Sequence, residues 1–497
     1  MRPLALALMG ALAACTVGPD YQRPAAPPAA QFKELAGWKP AAPLDAIDRG
    51  AWWSIYHDAT LDELEREVDV SNQSIKFAYA NYMDAQALIT EAEAQLMPFM
   101  TVNPVTQRLG GGTGSGTSQI SSAGVGVNGA SARKLTYAKS VYSLQGQMNW
   151  TLDVWGGIRR TIESRVAGAQ ASAAQIAFVR LSAQSALASA YFNMRAADSL
   201  QKLLNDTVVQ YRAALKIVQN QYDVGVAQRL DVLTAETQVR TTEAQAIAVA
   251  QTRAQFEHAI AVLAGRPPST LSIPPAMLTS AVPVVPSGLP STLLERRPDV
   301  AGAERQMQQA NALIGAAIAA YFPDVTLNAA AGYTGNPLDT LIRLANQVWS
   351  VGAAAATPVF EGGLLTAQVA ANRALYEASV ATYRETVLTA FQQVEDALVA
   401  LHVLQDEAAA QDLAVADARQ TVALALNQYR AGTVIYTTVL TDETLALSDE
   451  ITALTIRQNR LLASVALVTA LGGGWSNTDL PDSGRLWREN LIVPAGG

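Results

Sequence analysis

Residues 149–160 read NWTLDVWGGIRR, and the stretch joins two different patterns. Before it, from Tyr142, one face reads Tyr142, Leu144, Met148, Trp150 and Leu152. The other face reads Ser143, Gln145, Gln147, Asn149 and Thr151. Period two with one apolar face marks a half-buried strand. After the paired glycines no proline occurs until Pro267. Gly157 to Tyr222 therefore predicts one helix of about 100 Å, at about 1.5 Å per residue. Helices of that length imply coiled-coil-like packing.

The junction occurs twice. TLDVWGG, ending at Gly157, pairs with TPVFEGG, ending at Gly363. Upstream, IKFAYANYMDAQALITEAEAQLMPFMTV from Ile75 pairs with VAGAERQMQQANALIGAAIAAYFPDVTL from Val300, and Pro98 with Pro323. Downstream, NQYDVG (Asn220–Gly225) pairs with NQYRAG (Asn427–Gly432), and the helices that follow run to Gly265 and Gly472. The chain is two copies of one unit: helix, strand pair, very long helix, turn, long helix. Each glycine at a tip permits a chain reversal. In the second copy Leu440, Leu447, Ile451, Leu454, Leu461, Val465 and Val468 follow three- and four-residue steps. Gln458 is the polar member of that seam and Thr444 stands at the skipped step. A soluble coiled coil would give the same stripe.

Each copy offers two strands: residues 99–109 and 140–153, then 324–335 and 347–360. Val325, Leu327, Ala329, Ala331 and Tyr333 share one face of the third, and Thr326, Asn328, Ala330, Gly332 and Thr334 the other. Strands of about ten residues with aromatic ends suit a transmembrane barrel, and such barrels begin at about eight strands. Four are too few, and an open sheet edge in lipid leaves N–H and C=O groups unpaired at several kcal/mol each. If these strands cross a membrane, several chains must share one closed barrel. A soluble four-stranded sheet is the alternative. GGGTGSGTSQISSAG, from Gly110, reads as a mobile polar loop.

Composition excludes other classes. The net charge of −8 advertises no nucleic-acid surface. One cysteine, Cys15, forbids an internal disulfide or a zinc cluster. The three histidines, His57, His258 and His402, are scattered, and no catalytic triad, metal-ligand spacing or phosphate loop accompanies them. No enzyme, metal or cofactor is expected, apart from a covalent lipid. MRPLALALMGALAAC carries a positive start, a short apolar core and small residues before Cys15, which is an export signal. Leu12 to Cys15 resembles a lipobox; a plain signal with a chance cysteine is the alternative. Thr16 in place of an aspartate favours the outer membrane. No apolar run of about 18 or more follows the signal, so no membrane-spanning helix is expected.

The motifs together resemble the outer-membrane factor family, in its lipoprotein efflux branch. The resemblance rests on CTVGPDYQRP (Cys15–Pro24), on WWSIYHDATLDELEREVDVSNQSI with Trp52, Trp53, Asp58, Leu61 and Asn72, and on NWTLDVWGGIRR. It rests further on RRPDVAGAERQMQQANALIGAAIAAYFP (Arg296–Pro323) and TPVFEGGLLTAQV. The resemblance implies a mixed α/β membrane protein. Its trimer would form a twelve-stranded β-barrel, four strands per chain, continuous with a long periplasmic α-helical barrel. It implies a passive efflux conduit in the bacterial outer membrane, working with a periplasmic adaptor and an inner-membrane transporter of the resistance–nodulation–division type. A channel for secreted polypeptides and a non-channel periplasmic scaffold are the alternatives.

The implied division gives residues 1–14 to the signal peptide and 15–60 to a lipidated N-terminus, with an extended tether over 16–43. Residues 61–265 form the first repeat, with its hairpin at 157–265. A linker follows at 266–298, then the second repeat at 299–472, with its hairpin at 362–472, and a C-terminal segment at 473–497. The resemblance also implies a gate at the tips around Gly225 and Gly432, in which Tyr429 hydrogen-bonds Asp231. Tyr222, Asp223 and Arg430 would meet the adaptor. The chain departs from the family's pattern at the acidic rings: Thr438 and Thr441 stand at those spacings, with Asp442 one residue beyond. Val434 stands where some members carry a gating arginine.

Overall fold

The computed structural model describes residues 16–25, 33, 51–109, 139–278, 282–283 and 297–489. The signal peptide, Cys15 and the glycine-rich loop from Gly110 lie outside the described residues.

The duplication is metrical. Helix α1 (Ala59–Ser71) leads into α2 (Gln73–Ala94), and strands β1 (Phe99–Leu109) and β2 (Lys139–Leu152) follow. Then come the long hairpin α3 (Gly157–Asp223) and α4 (Arg229–Leu263). The second copy is α5 (Pro298–Ala319), β3 (Asp324–Gly335), β4 (Gln347–Ala356), α6 (Leu364–Arg430) and α7 (Tyr436–Ala470), closed by α8 (Ser483–Glu489). Helices α2 and α5 each have 22 residues, α3 and α6 each 67, α4 and α7 each 35. Both long helices start from a left-handed glycine, Gly156 at φ 80° and Gly363 at φ 89°.

The residues of the first-helix motif have local tasks. Asp58 caps α1, accepting from the amides of Thr60 and Leu61 at 3.0 and 3.2 Å. Its other oxygen accepts from the Tyr191 phenol on α3 at 2.6 Å. Asn72 caps α2 through Ser74 and Ile75, and its amide donates to the Leu263 carbonyl at 2.8 Å, tying the end of α4 to the start of α2. Trp52, Trp53, Leu61 and Val68 are buried in the main core with Tyr191 and Phe192 of α3, Tyr383 and Leu398 of α6, and Leu461 and Val465 of α7. That core joins the two repeats.

The four strands form one antiparallel sheet in the order β1-β2-β3-β4. The register matches face to face. Met148 opposes Met100 and Ala329, Trp150 opposes Leu327, and Leu144 opposes Tyr333. On the other face Gln145 opposes Asn103, Asn149 opposes Asn328, and Ser143 opposes Thr334. The sheet is open: β1 and β4 each have one unpaired edge among the described residues.

Three expectations need correction. Residues 16–23, at the start of the tether expected over 16–43, do not run free but pack along α3, α5 and α6. The seam of α7 is displaced near the tip, where Tyr436, Val439 and Glu443 are buried while Thr444 is exposed and returns its hydroxyl to the Leu440 carbonyl at 2.8 Å. Finally, α6 does contain an 18-residue window of mean hydropathy 1.2, although only a third of it is buried. Its alanines lie in a helix packed between α5 and α7, so the window belongs to the helical wall.

Candidate functional site: the bore face of the sheet and the hairpin tips

Alternation gives the sheet one apolar and one polar face. The apolar face carries Met100, Val102, Leu144, Leu327, Trp349 and Val351, with Trp150 near one end and Tyr142 and Tyr333 near the other. Trp150 and Tyr142 are separated by eight residues of β2, about 26 Å at about 3.3 Å each. That is the scale of an apolar band between two aromatic girdles. The Trp150 indole is pinned there, donating to the Leu96 carbonyl at 2.8 Å. The polar face is laced by neutral hydrogen bonds. The Gln145 amide donates to the Thr334 hydroxyl at 3.1 Å, and Ser143 and Thr334 hydroxyls lie 3.3 Å apart. Amides and hydroxyls of this kind suit a water-filled bore.

The two tips share one backbone motif. In the first, the Gly225 amide donates to the Tyr222 carbonyl at 2.9 Å and the Val226 amide to the Gln221 carbonyl at 2.8 Å. In the second, Gly432 donates to Tyr429 and Thr433 to Gln428, both at 3.0 Å. These are Schellman closures, and both glycines have positive φ, 78° and 71°. The tips touch where the Gln221 amide donates to the Tyr429 carbonyl at 3.5 Å. Behind the turns, Val218, Val232, Ala425, Tyr429, Tyr436 and Val439 form a small core. The Tyr429 and Tyr436 rings lie 5.5 Å apart. Val434, at the position considered for a gating arginine, packs against this core.

Tyr429 and Asp231 are neighbours without a hydrogen bond. The Tyr429 phenol oxygen is buried and unpartnered among the described residues. Burial, and secondarily the charge of Asp231, raise its pKa. The Asp231 carboxylate instead caps its own helix, accepting from the Gln228 amide at 3.1 Å. In this conformation the expected bond is not made, and the Tyr429 ring packs in the small core beside the carboxylate. Asp442 is half-buried and Thr441 exposed. The acid that sequence reasoning missed is Glu443. It is 6% exposed, with Oε2 unpartnered among the described residues, and burial pushes its pKa up to about 7. Its signal was available in the four-residue steps Val439, Glu443, Leu447.

On the first tip Tyr222 lies beneath the Arg229 guanidinium, 5.9 Å from ring centre. Tyr222, Val224, Val226 and Leu230 are exposed around it, and so is Asp223. On the second tip Arg430 is exposed and donates to Asn427 at 3.5 Å. The tips are alike in backbone and unlike in surface.

The profile of the family described as outer membrane efflux protein matches residues 66–266 and 289–473. The chain belongs to this family. The toluene efflux pump outer membrane protein TtgC of Pseudomonas putida is 31% identical over 472 residues, 93% of each chain. The pyoverdine export outer membrane protein OpmQ of Pseudomonas aeruginosa is 29% identical, covering 90% of this chain and 91% of its own. The solved outer-membrane channel OprN superposes with a TM-score of 0.84 at 27% identity, over 93% of this chain and 100% of that one. This outer-membrane efflux protein is a channel component of a tripartite efflux system and not an enzyme. It resides in the outer membrane and extends into the periplasm. Its fold is that of the trimeric channels, four strands per chain of a twelve-stranded barrel continuous with a helical barrel. That answers the closure problem of the open sheet and removes the soluble-sheet and periplasmic-scaffold alternatives.

Proposed function

We propose that the protein is a lipid-anchored conduit for small amphipathic solutes, drugs and solvents among them. It takes them from a transporter of the resistance–nodulation–division type in the inner membrane, through a periplasmic adaptor. The carrying observation is the register-matched sheet, apolar on one face and neutral-polar on the other, with both edges open. Such a surface has an outside for lipid and an inside for water, and it needs copies of itself at each edge. The small-solute reading is supported by relatives named for toluene and pyoverdine. Polypeptide secretion through the same fold is the second reading.

A lipid on Cys15 would hold the N-terminus in the membrane beside the barrel. The first tip, with Tyr222 and Asp223, and the second, with Arg430, would meet the adaptor. Gly225 and Gly432 would shape those tips, and Tyr429, packed beside Asp231, would hold the tip closed, with Asp442 as a candidate facing the opening. The bore needs no cofactor, because transport energy enters at the inner membrane.

The test is reconstitution. Purified protein in planar bilayers should give discrete single-channel steps, and expression with a cognate pump and adaptor should lower sensitivity to toluene and amphipathic antibiotics. Channel steps with protection only against loss of polypeptide export would favour the second reading. Absence of steps from folded protein would defeat both.

A further inference from the structure

Three stretches distant in sequence meet at one place: TVGPDYQR after Cys15, WGGIRR at the first strand-to-helix junction, and ANALIGAAIAAYFP in the second repeat. Thr16 lies against Gly156, where an added Cβ would come within 2.6 Å of the Thr16 methyl. The Val17 amide donates to the Trp155 carbonyl at 3.1 Å. Gly18, at φ 102°, crosses Gly315 so closely that a Cβ on it would clash with the Gly315 Cα. The Asn311 amide donates to the Pro19 carbonyl at 3.1 Å.

Arg160 organises the site. It is 5% exposed, and a buried guanidinium is tolerated only when its donors are satisfied. It donates to the Val17 carbonyl at 3.3 Å, the Gly18 carbonyl at 3.4 Å and Asp20 at 2.8 Å, and to Glu163 at 2.8 Å. Further along, Arg23 pairs with Glu304 at 3.4 Å and donates to the Tyr383 phenol oxygen at 3.3 Å. The groove thus reads main-chain carbonyls, one acid and the absence of side chains at crossing points. Arg160 belongs to the first repeat; Asn311, Gly315 and Glu304 belong to the second.

We infer that this is a built site for an extended peptide, that its occupant is residues 16–23 of the same chain, and that Arg160 is its positioning residue. The seated strap clips the first repeat to the second and fixes where the chain departs toward the membrane. The seat acts independently of any lipid upstream, because Thr16 to Arg23 themselves supply the backbone, glycine and ion-pair contacts that hold the strap.

Chymotryptic cleavage after Tyr21, in the full-length protein purified in detergent, tests this. The wild type and Cys15→Ser should both be protected. Arg160→Met and Gly18→Ala should be cut at least about tenfold faster, since protection falls with the population of the undocked strap. Their circular dichroism and oligomer size should be unchanged. Gly18→Ala lies in the strap, outside the helical body, and decides the matter if Arg160→Met fails to fold. Rapid cleavage of the wild type, equal protection of Gly18→Ala, or exposure of Tyr21 in Cys15→Ser would each overturn the inference.

Discussion

The Tyr211 phenol on α3 donates to the main-chain oxygen of Glu443 on α7 at 3.1 Å, while the Glu443 carboxyl lies buried between the hairpins. The titratable groups that sense it are Tyr211 and Tyr436, both neutral near pH 7 and both raised by burial. The carboxyl's pKa rises from 4.5 to about 7, with burial as the cause. The proton is therefore held in the packed state and lost more readily in the unpacked one. Packing stability is complete below about pH 4.5, falls as pH rises toward 7, and is flat above. At about 1.4 kcal/mol per pH unit the loss is about 3 kcal/mol. Glu443→Gln should remove about 3 kcal/mol of the dependence, leave the part carried by other buried acids such as Glu65, and unfold later than wild type at about pH 8. Thermal unfolding at several pH values checks it; parallel curves would refute it.

Gln458, the polar member of the α7 seam, donates to the Asn193 side-chain oxygen on α3 at 2.6 Å. Leaving one half-buried partner unsatisfied costs more than replacing both. Gln458→Leu or Asn193→Leu alone should cost about 1–2 kcal/mol, and the double replacement should recover most of it. A double-mutant cycle in denaturant measures the coupling; strict additivity would show the bond to be idle.

Tyr429 separates two descriptions of the tip. Because its phenol oxygen is unpartnered among the described residues, Tyr429→Phe should leave closed-state conductance and antibiotic leak at wild-type values. Tyr429→Ala removes the ring from Tyr436, Val218 and Val232, and truncating a buried aromatic costs about 3–5 kcal/mol. It should raise leak. Leak in the Phe variant would restore the hydrogen bond to Asp231 as the latch.

Neighbouring residues of β2 test the two faces. Met148→Arg places a charge on the lipid side, costing about 2–4 kcal/mol at mid-membrane, and should deplete assembled protein from outer membranes. Gln147→Arg points into the bore and should assemble normally while shifting reversal potentials toward anions. Equal tolerance of both would mean the faces are misassigned.

The sequence made the repeats, the paired turns and the faces of β2 and β3 legible, because period, proline and glycine are local signals. The phase of α7 near the tip was not, since steps of three and four drift, and Thr444 and Glu443 differ by one position. The strap was not legible either. Residues 16–25 have the polar, proline-containing composition of a tether, and what docks them is glycines and an arginine more than 130 residues away in sequence. Whether the Tyr429 phenol reaches Asp231 depends on how the two hairpins pack against each other, which spacing along the chain does not fix.

Native mass spectrometry of the detergent-extracted protein counts the chains that share the barrel. Four strands with two open edges cannot face lipid alone. A stable complex of three chains should survive extraction and carry all the channel activity. A folded, conducting single chain would contradict it.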